Sequence, residues 1–81
     1  MPGPGRKRET TDEEILMAFA KHPEPVITAS EVADRVGMTN AGINKRLQSL
    51  ADDGLIIRKE VGARAVIYWL SQEGQNVVSQ L

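Results

Sequence analysis

Asparagine, glutamine and lysine side chains recur between residues 39 and 48 at spacings typical of one face of a helix. Ile43, Leu47 and Leu50 are spaced to face a core, which leaves the opposite side of the helix polar or small. Asn and Gln amides can form two hydrogen bonds with adenine, and Lys can donate to the acceptors of guanine. We therefore predict that this side contacts base edges in a DNA major groove. The residues concerned are Thr39, Asn40, Ala41, Asn44, Lys45 and Gln48, with Arg46 placed sideways for a phosphate.

Basic residues elsewhere form small clusters, although the chain has 10 Lys and Arg against 11 Asp and Glu and a formal net charge of -1. Phosphate binding depends on local charge, so an uneven surface can bind a duplex despite a slightly negative total. Clusters this small also suit an ordinary solvated surface, so charge alone does not decide between the two interpretations. The clusters expected at phosphates are Arg6, Lys7 and Arg8 near the start, and Arg58 and Lys59 with Arg64 further on.

Catalytic chemistry has little support in the composition. The 81 residues include no cysteine and one histidine, His22, with no second metal ligand nearby and no serine beside a plausible base. We expect no enzyme, no metal or other cofactor and no small-molecule effector site. No apolar run is long enough to span a bilayer and no signal peptide is evident, so a cytoplasmic protein without membrane contact is expected.

Two short helices must position the polar side. Thr28 and Glu31 have the spacing of a capping box before a helix over Ala29 to Val36, where Ser30 is placed to offer its hydroxyl to a phosphate. Gly37 can take the left-handed conformation that ends a helix, and Thr39 can cap the next helix, predicted over Asn40 to Asp53.

The remaining segments are predicted to form elements that support these two helices. A capping box at Thr11 and Glu14 begins a helix that ends at Lys21, and Pro25 to Ile27 suits a brief strand. Two β-rich runs surround Gly62, and Ser71 caps a last helix. The runs are Leu55 to Val61 and Ala65 to Leu70, and the last helix is Gln72 to Leu81.

Ala33, Gly37, Met38 and Ile43 have the spacing of a helix-turn-helix, and the stretch around Gly54 resembles a recognition helix that leads into a wing strand. The chain is therefore similar to winged-helix transcription regulators of MarR or ArsR type, although Gly42 stands where threonine or serine is usual. The resemblance implies an α+β winged helix: a three-helix core, a two- to three-stranded antiparallel wing and a short C-terminal helix. The resemblance covers a domain over residues 11–81. Residues 1–10 begin Met-Pro-Gly-Pro-Gly, which predicts a flexible basic tail that is either an arm reaching DNA or a solubilising terminus. The implied function is double-stranded DNA binding, sequence-specific or general, by a prokaryotic transcription regulator that acts as a repressor or an architectural factor. A homodimer is favoured.

An alternative interpretation is a winged-helix module that binds another protein and not DNA, since this fold has more than one use. The slightly negative net charge favours it. The terminal helix could pack against a second copy or fold back on its own domain. The residues predicted at such an interface are Trp69, Val77, Val78 and Leu81.

Overall fold

Four helices and a two-stranded antiparallel sheet make up the part of the chain that the computed structural model describes, residues 10–63 and 65–81. Their order is α1 (Asp12–Lys21), α2 (Ala29–Val36), α3 (Asn40–Asp52), β1 (Ile56–Glu60), β2 (Val66–Leu70) and α4 (Gln72–Ser79). This is the α+β winged helix predicted from the sequence. Residues 1–9 of the predicted tail, and Arg64, lie outside the described residues.

Local hydrogen bonds cap the helices at the N-terminal residues that the sequence predicts. The Thr28 hydroxyl accepts from the Glu31 N–H at 3.2 Å, and the Thr28 N–H donates to Glu31 Oε1 at 2.9 Å. The same pair of bonds joins Thr11 and Glu14. Gly37 follows α2 with φ +77° in the left-handed region, which an L side chain rarely adopts. The helices α3 and α4 end one and two residues earlier than predicted.

The core lies where α1, α2 and α3 meet the inner face of the sheet. Ile43 and Leu47 are fully buried and Leu50 is 1% exposed, so the predicted inward side of α3 is confirmed. Burial of an aliphatic side chain contributes about 1.5–3 kcal/mol, so these three positions strongly favour one orientation of α3. The other residues of the hydrophobic core are Ile15, Leu16, Ala18, Phe19, Ile27, Val32, Ala33, Ile56 and Tyr68.

The wing pairs residues Ile56 with Leu70 and Arg58 with Tyr68 in its antiparallel register. Ile27 extends the sheet by one bridge, since its N–H donates to the Tyr68 carbonyl at 2.9 Å and its carbonyl accepts from the Tyr68 N–H at 2.8 Å. The brief strand predicted before α2 is thus present as this single bridge. No helix of the described residues is long and apolar enough to cross a membrane.

Candidate nucleic-acid interface

The polar side of α3 is open to solvent over its whole length. All six residues predicted to contact base edges, from Thr39 to Gln48, are exposed. Thr39 also caps the helix, because its hydroxyl accepts from the Gly42 N–H at 3.1 Å. A row of amide, ammonium and hydroxyl groups on a capped helix can meet the donors and acceptors of a major groove.

A groove of about 470 Å³ lies between α3 and the wing, and predicted site residues line it from both sides. Asn44 and Gln48 line it from α3, and Arg58 lines it from β1. The Asp52 carboxylate lines it as well, at the far end of α3. Tyr68 and Ala51 also line it, and neither is among the site residues predicted from the sequence. No local sequence pattern identifies Tyr68 and Ala51 as groove residues, because their position in the groove depends on how α3 packs beside the sheet.

Arg58 and Lys59 point to opposite faces of the wing, as successive strand residues must. Arg58 pairs in register with buried Tyr68 and shares its face, which meets α3. Lys59 pairs with Ile67 on the outer face. The Arg58 guanidinium lies 3.4 Å from the Glu60 carboxylate, and a pair this exposed is weak enough to exchange for a phosphate.

Arg46 has partners that the sequence did not predict. One guanidinium nitrogen donates to the Thr10 carbonyl at 2.8 Å, and the other donates to Asp12 Oδ1 at 2.7 Å. Its side chain is 30% exposed. Two of its donors are therefore engaged within the domain, at the start of α1.

Ser30 is exposed in the first turn of α2, as predicted, but the neighbouring Glu31 carries negative charge there. The pKa of Glu31 is lowered, chiefly because its carboxylate accepts the Thr28 backbone N–H, with smaller contributions from the Thr28 hydroxyl and His22. The capping box therefore already uses the N–H groups of Thr28 and Glu31, and the ionised carboxylate repels a phosphate at this helix end.

His22 was not predicted as a site, and its surroundings agree with a structural position. Its Nε2 atom is buried without a hydrogen-bond partner, 3.7 Å from Glu31 Oε1 and 4.0 Å from Glu24 Oε1. Within residues 10–63 and 65–81, no three His, Asp or Glu residues are grouped to hold a metal ion.

The four residues predicted at a protein interface have different surroundings in the structure. Val77 and Val78 pack against the core of their own domain, so α4 folds back as one of the two alternatives predicted. Leu81 is 57% exposed. Trp69 is half-buried and lines a groove with the loop after α1.

A family model described as winged helix-turn-helix DNA-binding matches residues 8–57, which is more than half of the chain. The matched range includes both helices of the turn and the start of the wing. The chain therefore belongs to the winged helix-turn-helix DNA-binding family. The DNA binding predicted from the sequence is confirmed at the level of this family.

Solved transcription regulators share the fold. A MarR family transcription regulator is 28% identical with a TM-score of 0.71, over 83% of this chain and 44% of its own. MepR, a transcription regulator of the Staphylococcus aureus multidrug efflux pump MepA, is 22% identical with a TM-score of 0.75, over 86% of this chain and 53% of its own. BpsR of Bordetella bronchiseptica is 17% identical with a TM-score of 0.77, over 95% of this chain and 54% of its own.

The predicted similarity to MarR-type regulators is thereby confirmed. The chain spans about half the length of these solved regulators. No curated protein matches the sequence.

Proposed function

We propose that the chain binds double-stranded DNA by inserting α3 into the major groove, and that it regulates transcription as a prokaryotic cytoplasmic repressor. The observation that carries the proposal is the exposed polar side of α3, with Arg58 of the wing across the adjoining groove. Base edges would be contacted from α3, and phosphates from its flanks. The proposed contacts are Thr39, Asn40, Ala41, Asn44, Lys45, Gln48, Arg58, Lys59, Arg64, Arg6, Lys7, Arg8 and Ser30.

Local charge supports this proposal better than total charge does. Lys45 is exposed on the polar side of α3, while Asp52 and Asp53 stand at its far end. Phosphate would be attracted to the first two turns of the helix and repelled from the last. We therefore infer that the N-terminal half of α3 lies deepest in the groove, as recognition helices of this type do.

A homodimer that reads two half-sites is part of the proposal, since operators of such regulators are usually doubled. Val77 and Val78 pack on their own domain, so we propose that a dimer uses other surfaces. The exposed Leu81 and the outer face of the wing, where Ile57 is 40% exposed, are the candidates. We propose no cofactor and no small-molecule effector for the chain.

The outer face of the wing also favours a second candidate function, that of a protein-interaction module. Ile57 pairs with Trp69 there, so two large apolar side chains stand side by side. A protein partner on this face would leave the polar side of α3 unused. The two functions differ in their dependence on salt, because phosphate contacts release counterions and an apolar interface does not.

The test is a titration of the chain into mixed-sequence duplex DNA at several salt concentrations. We expect binding that weakens steeply with salt. Arg58→Ala, at a proposed phosphate contact of the wing, should lower the affinity and reduce the slope of log K against log salt by about 0.9, the value for one phosphate contact. The matched control is Lys21→Ala, an exposed lysine at the end of α1, which should leave both unchanged. Absence of binding by the wild-type chain at low salt would contradict the proposal.

A further inference from the structure

Tyr68 lies between β1 and the bridge at Ile27, and its backbone is fixed from both sides. Its N–H donates to the Ile27 carbonyl at 2.8 Å, and its carbonyl accepts from the Ile27 N–H at 2.9 Å. Both groups of an antiparallel strand residue point to the same side, so those of Tyr68 point away from β1. Tyr68 and its register partner Arg58 are therefore a non-hydrogen-bonded pair. In such a pair the Cα atoms are about 4.5 Å apart and the side chains lie close together.

The ring of Tyr68 is buried, while its hydroxyl opens into the groove between α3 and the wing. The residue is 5% exposed and lines that groove. Within residues 10–63 and 65–81 the hydroxyl has no hydrogen-bond partner, yet its oxygen is not closed off from solvent. A tyrosine buried to this extent usually has a partner for its O–H. The Tyr68 hydroxyl is thus a rigidly held donor that can bond an acceptor from outside the domain.

Other hydrogen-bond donors line the same groove. Arg58 lines it from β1, and Asn44 and Gln48 line it from α3. A guanidinium can only donate, and phenol and amide groups can donate as well. A phosphate ester offers negatively charged acceptor oxygens, which bond most strongly to such donors. The groove therefore suits a phosphate better than it suits a cation.

Two carboxylates restrict where a phosphate can bind. Asp52 lines the groove eight residues after Asn44, about 12 Å further along the axis of α3. It repels phosphate, so the part of the groove beside Asn44 is favoured. Glu60 lies 3.4 Å from the Arg58 guanidinium, but their side chains are 70% and 46% exposed, and solvent weakens such a pair.

In the proposed complex this groove would face the backbone of the duplex. The phosphate backbones border the major groove into which α3 would insert, and the wing lies directly beside α3. One backbone would then pass between the helix and the wing. The volume of about 470 Å³ is within the range of ligand sites.

We propose that Tyr68 is a DNA-contact residue, whose hydroxyl holds one backbone phosphate together with the Arg58 guanidinium, between α3 and the wing. The inference rests on the proposed function and adds to it a residue that the sequence did not predict as part of the site. A phosphate contact carries no information on base sequence. The role of Tyr68 is to fix the position of the backbone, and with it the depth of α3 in the major groove.

Tyr68→Phe removes the hydroxyl and keeps the buried ring. We expect the affinity for mixed-sequence duplex DNA to fall about tenfold, the lower end for a hydrogen bond to a charged group. The slope of log K against log salt should stay unchanged, because a neutral hydroxyl releases no counterion, whereas Arg58→Ala should lower it by about 0.9. The free energy of unfolding should also stay unchanged, since the hydroxyl has no partner among the described residues. An affinity equal to that of the wild type would refute the proposal.

A double-mutant cycle tests whether Tyr68 and Arg58 hold the same phosphate. In the Arg58→Ala background, Tyr68→Phe should lower the affinity by less than about threefold, because the phosphate is no longer held against the hydroxyl. A tenfold loss in both backgrounds would refute the shared contact. The matched control is Ser79→Ala, which removes an exposed hydroxyl at the end of α4 and should leave the affinity unchanged.

A spectroscopic measurement observes the contact directly, because Tyr68 is the single tyrosine of the chain. Fluorotyrosine incorporated during expression gives one fluorine NMR signal, beside the Tyr68 hydroxyl. Saturating duplex should shift this signal, and the shift should be smaller in Arg58→Ala. A signal that does not move at saturating duplex would refute the proposal. Failure of the wild-type chain to bind any duplex would instead refute the proposed function.

Discussion

Replacement of Gly74 by alanine tests the packing of α4 most directly, because two effects oppose each other. Glycine in a helix interior is about 1 kcal/mol less favourable than alanine, so propensity alone predicts a more stable protein. The structure predicts the reverse. Gly74 is buried, and a Cβ atom on it would overlap the carbonyl oxygen of Leu55 and lie 3.1 Å from Leu70 Cδ2.

The helix cannot move away to relieve this overlap without breaking its own anchor. The Ser71 N–H donates to the Leu55 carbonyl at 3.1 Å, and the Ser71 hydroxyl donates to the Gly54 carbonyl at 2.6 Å. Overpacking costs about 1–3 kcal/mol, and contact with backbone places this site at the upper end. After subtraction of the gain in propensity, we expect Gly74→Ala to lower the free energy of unfolding by about 2 kcal/mol.

The assay is thermal and urea unfolding followed by circular dichroism at the helix band. A loss of about 2 kcal/mol corresponds to a Tm lower by roughly 10 °C in a domain of this size. Gly42→Ala is the matched control, since a Cβ there would meet two side-chain ends, Thr39 Oγ1 at 3.2 Å and Met38 Cε at 3.3 Å. We expect that variant to be unchanged or up to about 1 kcal/mol more stable. A Gly74→Ala protein as stable as the wild type would refute the reasoning.

Three further predictions concern the core, the first turn of α2 and the wing. Leu47→Ala should lower the free energy of unfolding by about 2–5 kcal/mol, measured with urea, because the side chain is fully buried. The pKa of Glu31 is below its ordinary value of 4.5, so its ionised form stabilises the fold above that pH, and the contribution is lost as the pH falls through the lowered pKa. Glu31→Gln, which retains the capping geometry, should therefore show a flatter loss of stability with acid than the wild type. In duplex titrations, Arg58→Ala should weaken DNA binding more than Lys59→Ala, since the first side chain lines the groove beside α3; equal effects would argue against that orientation.

Much of the fold follows from interactions between residues close in sequence. The capping boxes at Thr11 and Thr28 join residues three positions apart, and the left-handed turn at Gly37 depends on one residue type. Such interactions are visible in the sequence because hardly any other part of the chain affects them. The spacing of Ile43 and Leu47 likewise predicts the buried side of α3, and with it the exposed residues proposed to contact DNA.

Arg58 and Lys59 lie on opposite faces of the wing, and the sequence predicts this placement only in part. Alternation along a strand predicts that they separate, but not which of them meets α3. That choice belongs to the packing of β1 and β2 beside the helix, with Ile56 and Tyr68 buried on the inner face. The groove at Tyr68 and Ala51 arises from the same packing.

The sequence by itself determined where the helices begin, their caps and the buried side of α3, because each depends on spacing within a few turns. The winged-helix class followed from the resemblance to a known family. Only the tertiary structure decided that Arg46 is bonded to Thr10 and Asp12, and that Gly74 lies against the Leu55 carbonyl. The residues of each contact are 19 to 36 positions apart. No local pattern encodes such contacts, since they form only when the core brings distant segments together.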